Sequence, residues 1–222
     1  MQPEPSPSAT VAIVRDAQNG VEVLMVQRNV DLKFHGGAWV FPGGRIDPID
    51  RTRAGSDDLV EAARHCAVRE AAEEAGVELD ARALVPFARW VTPEGLPKRF
   101  KTWFFVCEFQ PSAVVIDGGE VVDHRWIAPR EALASQARGE IDLPAPTYVT
   151  LLELARHATA RDAIAALRSR DVAVYNPRMR QVEGGVCTLY EDDVAYAGAD
   201  LDALGRRHRL YMTHGGYRYE RS

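Results

Sequence analysis

Apolar runs bounded by turn residues predict that much of the chain forms β-strands. The first two runs flank a turn at residues 16–20 and predict a β-hairpin. An aromatic run at 100–107 predicts a long strand, paired with 84–91 across the turn 92–97. Shorter strand-like runs occur toward the C-terminus. The predicted strands cover residues 11–14, 21–26, 84–91, 100–107, 172–175 and 185–190.

Helical periodicity is clearest between Asp58 and Gly76. Asp58, with Glu61 three residues later, predicts an N-terminal capping box, and Gly76 predicts a left-handed C-cap. One face of this helix is small and apolar, which predicts close packing on a core. The predicted buried stripe is Val60, Ala63, Ala67, Val68, Ala71 and Ala75. Further helices are predicted over 129–138, 148–157 and 161–170, with 141–147 extended between the first two.

Composition and charge narrow the class of protein. The 222 residues carry a formal net charge of -5, which argues against nonspecific nucleic-acid binding. No apolar run approaches the length of a membrane span and no signal peptide is recognised, so a cytoplasmic protein is expected. The three cysteines lack metal-type spacing and are predicted to be buried small residues in a reducing compartment.

Three carboxylates share one face of the helix that ends at Gly76. Glu70, Glu73 and Glu74 fall within an arc of roughly 100°. Like charges at this spacing repel, and hard divalent cations such as magnesium bind carboxylate oxygens. A bound cation therefore explains the arrangement, whereas a solvated charged face is the alternative.

Two segments precede this helix. Residues 36–44 combine aromatic residues with two glycine pairs, a composition suited to a tight bend or to close backbone approach to a ligand. Residues 46–57 contain Pro48, Gly55 and several charges, and they are predicted to form an inserted polar loop.

Together these residues carry a family resemblance. Gly44, Glu61 and the run 69–77 (Arg-Glu-Ala-Ala-Glu-Glu-Ala-Gly-Val) resemble the Nudix box, G-x5-E-x7-R-E-U-x-E-E-x-G-U, in which U is apolar. The match is complete from Glu61 onward. Upstream, sixteen residues rather than five separate Gly44 from Glu61. The chain thus resembles the Nudix hydrolase (MutT-like) family, and the long insert is similar to that of its coenzyme A diphosphatase subgroup.

The resemblance implies a fold and a domain organisation. The expected fold class is α/β: a Nudix fold with a mixed β-sheet sandwiched between helices, followed by an additional C-terminal α+β segment. Residues 1–9 are predicted to be a disordered tail because of their prolines and serines. Residues 10–155 are the expected Nudix hydrolase domain. Residues 156–222 are expected to form a C-terminal extension packed on it, and they contain no recognised chemical motif.

The resemblance also implies a metal site and catalytic groups. Glu70, Glu73 and Glu74 would hold Mg2+ or Mn2+, and Glu73 and Glu74 are the expected catalytic glutamates. Arg69 would orient a box carboxylate, with Glu61 or Glu70 as its partner. Beyond the box, Glu120 resembles the position that supplies a further ligand or the general base. His124 is the competing base because its intrinsic pKa lies near neutrality, and a solvated loop residue is the alternative for Glu120.

The expected substrate is a small nucleoside diphosphate derivative, whose diphosphate linkage water attacks. Coenzyme A or an acyl derivative is the leading candidate, although the coenzyme A signature upstream of the box is only partly present. ADP-ribose, dinucleotides and nucleoside triphosphates stay open, as does a Nudix-fold nucleotide sensor without activity, and a homodimer is possible. The candidate substrate-binding residues are Arg28, Gly43, Gly44 and Arg99.

Two features near this predicted substrate site have alternative interpretations. Lys98, Arg99 and Lys101 can hold an anionic substrate or can protect a strand edge from aggregation. Trp90 and Trp103 can stack on a base, or they can belong to the core.

Overall fold

The structure is a computed structural model that describes residues 4–32, 34–110, 113–198 and 200–222. The strands are β1 (Ser6–Ala17), β2 (Gly20–Arg28), β3 (Trp39–Val40), β4 (Gly43–Arg45), β5 (Val85–Val91), β6 (Phe100–Glu108), β7 (Val121–Ile127), β8 (Ala173–Tyr175), β9 (Arg178–Val182), β10 (Gly185–Leu189), β11 (His208–Thr213) and β12 (Gly216–Arg221). The helices are α1 (Pro48–Ala54), α2 (Leu59–Ala75), α3 (Pro129–Ala137), α4 (Ala145–Leu154), α5 (Ala160–Arg168) and α6 (Ala195–Gly198), and Ala81–Ala83 forms a 3-10 turn. None of the helices in these ranges combines the length and the apolar composition that a membrane span requires.

Contacts divide the chain into two compact units. The larger unit comprises Pro7–Arg89 and Thr102–Ala173, and the smaller one comprises Val174–Ser222, the hairpin segment Trp90–Lys101 and residues 4–6. Helix α5 belongs to the larger unit, where the backbone N–H of Ala160 donates to the Asp16 carboxylate at 2.6 Å. The contact division therefore falls after Ala173, later than the predicted boundary at residue 155.

The sheet of the larger unit has the strand order β3-β2-β1-β6-β5, with β4 also beside β1 and β7 also beside β2. The predicted hairpin forms, since β1 and β2 pair antiparallel with Val14 opposite Val23. The predicted disordered tail is wrong for residues 6–9, because they belong to β1: Ser8 pairs with Arg45 of β4 and hydrogen-bonds Thr102 at 2.7 Å. Residues 1–3 lie outside the described ranges.

Helix α2 forms as the sequence predicts. Asp58 caps its start by accepting from the Val60 N–H at 2.8 Å, and Gly76 ends it in the left-handed region with φ 64°. The predicted capping box is absent from the described contacts, because Glu61 instead binds Arg64 at 3.1 Å. The buried face joins a core made with β1, β2 and β6. Its buried residues are Ala62, Ala63, Cys66, Ala67, Ala71, Glu74 and Ala75, whereas Val60 and Val68 are only partly buried.

The segment predicted to be a polar loop contains a helix. Helix α1 begins with Pro48 in its first turn, where proline is tolerated, and ends at Gly55 with φ 62°. Asp47 and Asp50 form a capping box at its start, since the Asp47 N–H donates to the Asp50 carboxylate at 2.9 Å. The loop prediction was wrong because proline and glycine are found at helix ends as well as in loops.

Helix α4 also begins earlier than predicted. Pro144 is its N-cap and Pro146 lies in its first turn, so three residues assigned to the extended segment 141–147 are helical. Both prolines are compatible with a helix start because the first N–H groups of a helix need no intrahelical partner.

The smaller unit contains an antiparallel sheet in the order β12-β11-β10-β9. Trp90 is buried there and stacks on Tyr175, with ring centroids 3.8 Å apart, so it is a core residue rather than a free stacking surface. Arg209 and Asp193 form a buried bidentate ion pair at 2.7 and 2.6 Å. The three cysteines, Cys66, Cys107 and Cys187, are free and buried, as predicted.

Candidate active site

Helix α2 presents its three glutamates to different environments. The Glu74 residue is only 5% exposed, and the Glu70 side chain is 14% exposed. Glu73 is largely in solvent, with 59% of its side chain exposed. Because burying a carboxylate is costly unless it is paired, the contacts of Glu70 and Glu74 define the site.

Glu74 is anchored to the backbone of strand β4. Its Oε2 accepts the N–H of Gly43 at 2.9 Å. Burial raises the pKa of Glu74 to about 8; the Gly43 bond and Arg28 oppose that shift, and repulsion from Glu70 and Glu120 adds to it. Because burial is the largest cause, Glu74 holds its proton more tightly than a solvent-exposed glutamate does.

Glu70 lies directly on Gly44. A Cβ atom added to Gly44 would collide with the Glu70 carboxylate, and one added to Gly43 would collide with Ala9 and Thr10 of β1. Glycine at position 44 therefore lets α2 lie this close to β4, and glycine at position 43 lets β4 lie this close to β1. Burial raises the pKa of Glu70, Arg69 lowers it, and repulsion from Glu73 and Glu120 raises it further.

Arg69 connects these glutamates to the insert. Its Nη1 lies 2.9 Å from Glu70 Oε1 and 2.9 Å from Glu73 Oε2. On its other edge, Nε and Nη2 donate to the two oxygens of Asp50 at 3.1 and 3.0 Å. Of the two predicted partners of Arg69, Glu70 makes the contact and Glu61 does not, because Glu61 pairs with Arg64.

Glu120 lies immediately before β7, close to the box glutamates. Its side chain is 66% exposed, and its charge contributes to the raised pKa of both Glu70 and Glu74. One carboxylate oxygen is 4.0 Å from Arg28 Nη2. His124 lies within β7, opposite Val26 of β2.

The candidate substrate-binding residues fall into two groups. Arg28, at the end of β2, lies beside Glu120, and its buried Nε has no hydrogen-bond partner among the described residues. Gly43 and Gly44 contact the glutamates, so these three positions are brought together with the carboxylates. Arg99 is not part of this group by its contacts: it belongs to the smaller unit, where its Nε donates to the Thr92 carbonyl at 3.2 Å. Trp103 is partly buried against the α2 core.

The donors suit a hard divalent cation by their chemistry. Glu70, Glu73 and Glu74 offer carboxylate oxygens, and burial with mutual repulsion raises the pKa of Glu70 and Glu74, a cost that a cation would relieve. As the side chains lie, however, no three acidic, histidine or cysteine side chains in the described ranges converge to hold a metal ion. Arg69 instead occupies Glu70 and Glu73.

Asp50 is the residue of this site that sequence reasoning missed. It was assigned to a polar loop, and its contact with Arg69 joins positions nineteen residues apart. The spacing Asp47-Pro48-Ile49-Asp50 was the available signal, because an acidic N-cap, a proline and a second acidic residue at N3 mark a helix start.

Comparisons with known proteins identify the domain and its fold. The family model of the NUDIX domain matches residues 5–147. A crystal structure of a NUDIX hydrolase from Alicyclobacillus acidocaldarius superposes with a TM-score of 0.69 at 26% identity, covering 77% of this chain and 100% of that one. The predicted fold class is thereby confirmed.

Sequence relatives include two curated proteins. Human "Acyl-coenzyme A diphosphatase NUDT19" is 28% identical, over 64% of this chain and 63% of its own length. "Putative 8-oxo-dGTP diphosphatase 3" of Mycobacterium tuberculosis is 29% identical, over 85% of this chain and 77% of its own length. The chain thus spans about three fifths of NUDT19 and more of the mycobacterial protein.

Proposed function

The chain belongs to the Nudix hydrolase family, and from this premise we propose that it is a metal-dependent diphosphatase acting on a nucleoside diphosphate derivative, with coenzyme A or acyl-coenzyme A as leading candidate. The observation that carries the proposal is the convergence of Glu70 and Glu74 on the Gly43–Gly44 backbone. The buried Glu74 and the partly buried Glu70 bring carboxylate oxygens to the glycine turn, and such oxygens suit divalent-metal chemistry.

Nudix hydrolases generally use divalent metal ions, and Mg2+ or Mn2+ is proposed here. Glu70, Glu73 and Glu74 would hold it, with Glu120 as a further ligand or as the base. When bound, such an ion neutralises phosphate oxygens and lowers the pKa of water.

The side chains of the chain have separate roles in this proposal. The Arg28 guanidinium, whose Nη2 lies beside Glu120, would bind a substrate phosphate oxygen. The exposed Glu120 carboxylate would accept the proton of the attacking water, and His124 is the alternative acceptor. The N–H of Gly43 binds the Glu74 carboxylate and would keep it oriented during the reaction, in which the bond between the attacked phosphorus and the bridging oxygen breaks.

The substrate proposal rests on two supports. The insert between Gly44 and Glu61 is similar to that of the coenzyme A diphosphatase subgroup, and human NUDT19 is a relative at 28% identity. The mycobacterial relative is named as a putative 8-oxo-dGTP diphosphatase. An oxidised nucleoside triphosphate is therefore the second candidate substrate. A nucleotide sensor without activity would be expected to lack a box glutamate, and all four, Glu61, Glu70, Glu73 and Glu74, are present.

Fragment release from a substrate panel tests the proposal. The panel contains coenzyme A, an acyl-coenzyme A, ADP-ribose, NADH, a diadenosine polyphosphate and 8-oxo-dGTP, each with Mg2+, Mn2+ or EDTA. Metal-dependent cleavage of coenzyme A or its acyl derivative supports the leading candidate. Preferred cleavage of 8-oxo-dGTP would overturn it in favour of the second, and binding without cleavage would support the sensor.

The matched variants are Glu73→Gln, Glu74→Gln and, as control, Glu78→Gln just beyond the helix. Glu78 is exposed. The two box variants should lower turnover by about 100-fold or more, because each removes a charged ligand of the proposed ion. Normal turnover in both would contradict the assignment of the box.

A further inference from the structure

Asp50 is a fully buried carboxylate at 0% exposure, supplied by the insert helix α1. Its Oδ1 accepts from Arg69 Nε at 3.1 Å, and its Oδ2 accepts from Arg69 Nη2 at 3.0 Å and from the Asp47 N–H at 2.9 Å. A buried charge is retained at tolerable cost only when it is paired and hydrogen-bonded. The three bonds meet that condition, so α1 and Arg69 hold each other in place.

The other edge of Arg69 faces the box. Nη1 contacts Glu70 and Glu73 at 2.9 Å each. A guanidinium is planar and rigid, so holding its Nε and Nη2 edge fixes the direction of Nη1. The position of Asp50 is thereby transmitted to the two carboxylates.

We propose that Asp50 is a positioning residue: the insert supplies it to orient Arg69, whose Nη1 in turn orients the carboxylates of Glu70 and Glu73. The inference rests on the proposed function for the role of these glutamates. According to this inference, the insert contributes to the reaction by positioning Arg69 and is more than a surface loop that the fold tolerates.

Charge balance supports the same assignment. The Asp50 charge offsets that of Arg69, which leaves the negative charge of Glu70 and Glu73 available to a cation. Without the Asp50 carboxylate, the positive charge of Arg69 would be neutralised only by Glu70 and Glu73. Arg69 would then compete more strongly with a divalent ion for the oxygens of these two glutamates. Loss of the Asp50 charge should therefore weaken metal binding as well as turnover.

The test compares Asp50→Asn with Asp57→Asn. Both remove one insert carboxylate at nearly constant volume, and Asp57 is exposed. Asp50→Asn should lower kcat by about 10- to 100-fold with little change in KM. Losses of about this size are typical when a residue that orients a metal ligand is removed. Asp57→Asn should match the wild type. Equal kcat per folded molecule in all three proteins would overturn the proposal.

A background with Arg69→Lys separates positioning from simple loss of stability. Lysine keeps the positive charge, but its single ammonium lacks the planar arrangement of donors with which a guanidinium binds carboxylates on two sides. Asp50→Asn should therefore cost far less in this background than in the wild type. An equal loss of kcat in both backgrounds would show that Asp50 acts through something other than Arg69.

Two measurements need no substrate and stand apart from the proposed function. Titration with Mn2+ alone, followed by electron paramagnetic resonance, should show affinity about 10-fold weaker in Asp50→Asn. The NMR signal of the Arg69 Nε–H should exchange with water faster in that variant, because asparagine offers one neutral acceptor oxygen where aspartate offers two charged ones. If both readouts match the wild type, the proposal is overturned even if the enzyme cleaves its substrate. If they change while no panel member is cleaved, the substrate assignment alone has failed.

Discussion

Burial of the Glu74 carboxylate in the candidate site lowers the stability of the folded protein. It is 5% exposed and its pKa is raised to about 8 from 4.5, with burial as the largest cause. Residues at functional sites often carry such a cost. Cation binding is expected to restore the free energy of unfolding that the ionised Glu74 carboxylate costs the metal-free protein.

A pH titration of metal-free stability checks this cost. Because the folded state holds the Glu74 proton more tightly than the unfolded chain does, Glu74 stabilises the fold least when it is ionised. Its unfavourable contribution should grow as pH rises from about 4.5 to about 8, at up to about 1.4 kcal/mol per pH unit. Glu74→Gln should remove that decline, measured by urea unfolding in EDTA below and above the window. A wild-type curve parallel to that of the variant would contradict the assignment.

Gly44 is the second residue that matters to the site, because it lacks a Cβ. The Cβ of Gly44→Ala would collide with the Glu70 carboxylate and displace it. We expect about a 100-fold loss of kcat, since displacements of about 1 Å cost this much in active sites. Gly198→Ala is the control, because a Cβ there meets no atom of the described residues within 4 Å, its chain neighbours aside. Equal activity of the two variants would show that Glu70 tolerates displacement.

At the scale of elements, the sequence predicted α2 well because its signals are local. Asp58 and Gly76 define its ends by their own backbone preferences, and its small residues mark the buried face. Helix α1 escaped prediction because it is short and its stabilising contact, Asp50 with Arg69, is tertiary. The partner of Arg69 could not be chosen from spacing alone, since Glu61 and Glu70 both lie on the same helix.

The two glycine C-caps of α1 and α2 form a matched pair for stability measurements. Gly55 and Gly76 both have left-handed φ, at 62° and 64°, but a Cβ at Gly76 would lie 3.1 Å from the Val115 carbonyl oxygen, whereas one at Gly55 meets nothing within 4 Å. Each alanine should cost about 1 kcal/mol for the left-handed conformation. Gly76→Ala should cost more because it adds the collision. Urea midpoints in the reverse order would contradict this ranking.

At the scale of the whole molecule, the two units carry opposite pH dependences. In the smaller unit, burial and repulsion from Arg221 lower the pKa of His208 to about 4 from 6.5, with Asp192 and Asp193 opposing. The unfolded chain therefore binds this proton more tightly, and stability from His208 is present above pH 6.5 and lost as pH falls toward 4. The Glu74 contribution changes in the other direction.

In the absence of metal, the free energy of unfolding should therefore be highest between about pH 4.5 and pH 6.5, where the two contributions change in opposite directions. His208→Asn should flatten the acid side of the stability curve and leave the alkaline side unchanged, whereas Glu74→Gln should do the reverse. Thermal unfolding across pH, followed by circular dichroism, measures both. An effect of His208→Asn on the alkaline side would show that another group dominates.

The domain organisation was harder to predict than the fold. The Nudix box gave the fold class through family resemblance, but nothing in the sequence marked the hairpin segment 90–101 as part of the same compact unit as 174–222. That grouping depends on contacts between distant parts of the chain, such as the stacking of Trp90 on Tyr175. Periodicity and composition do not encode such contacts.

The bond between Asp50 and Arg69 also constrains how this sequence can evolve. Deleting the insert first would leave a buried guanidinium half-paired, and replacing Arg69 first would leave a buried carboxylate without its cation. Each single step passes through a less fit protein, although losing both residues together need not. An insertion that began as neutral length variation would thus become entrenched, and descendants should keep or lose Asp50 and the insert helix as one unit.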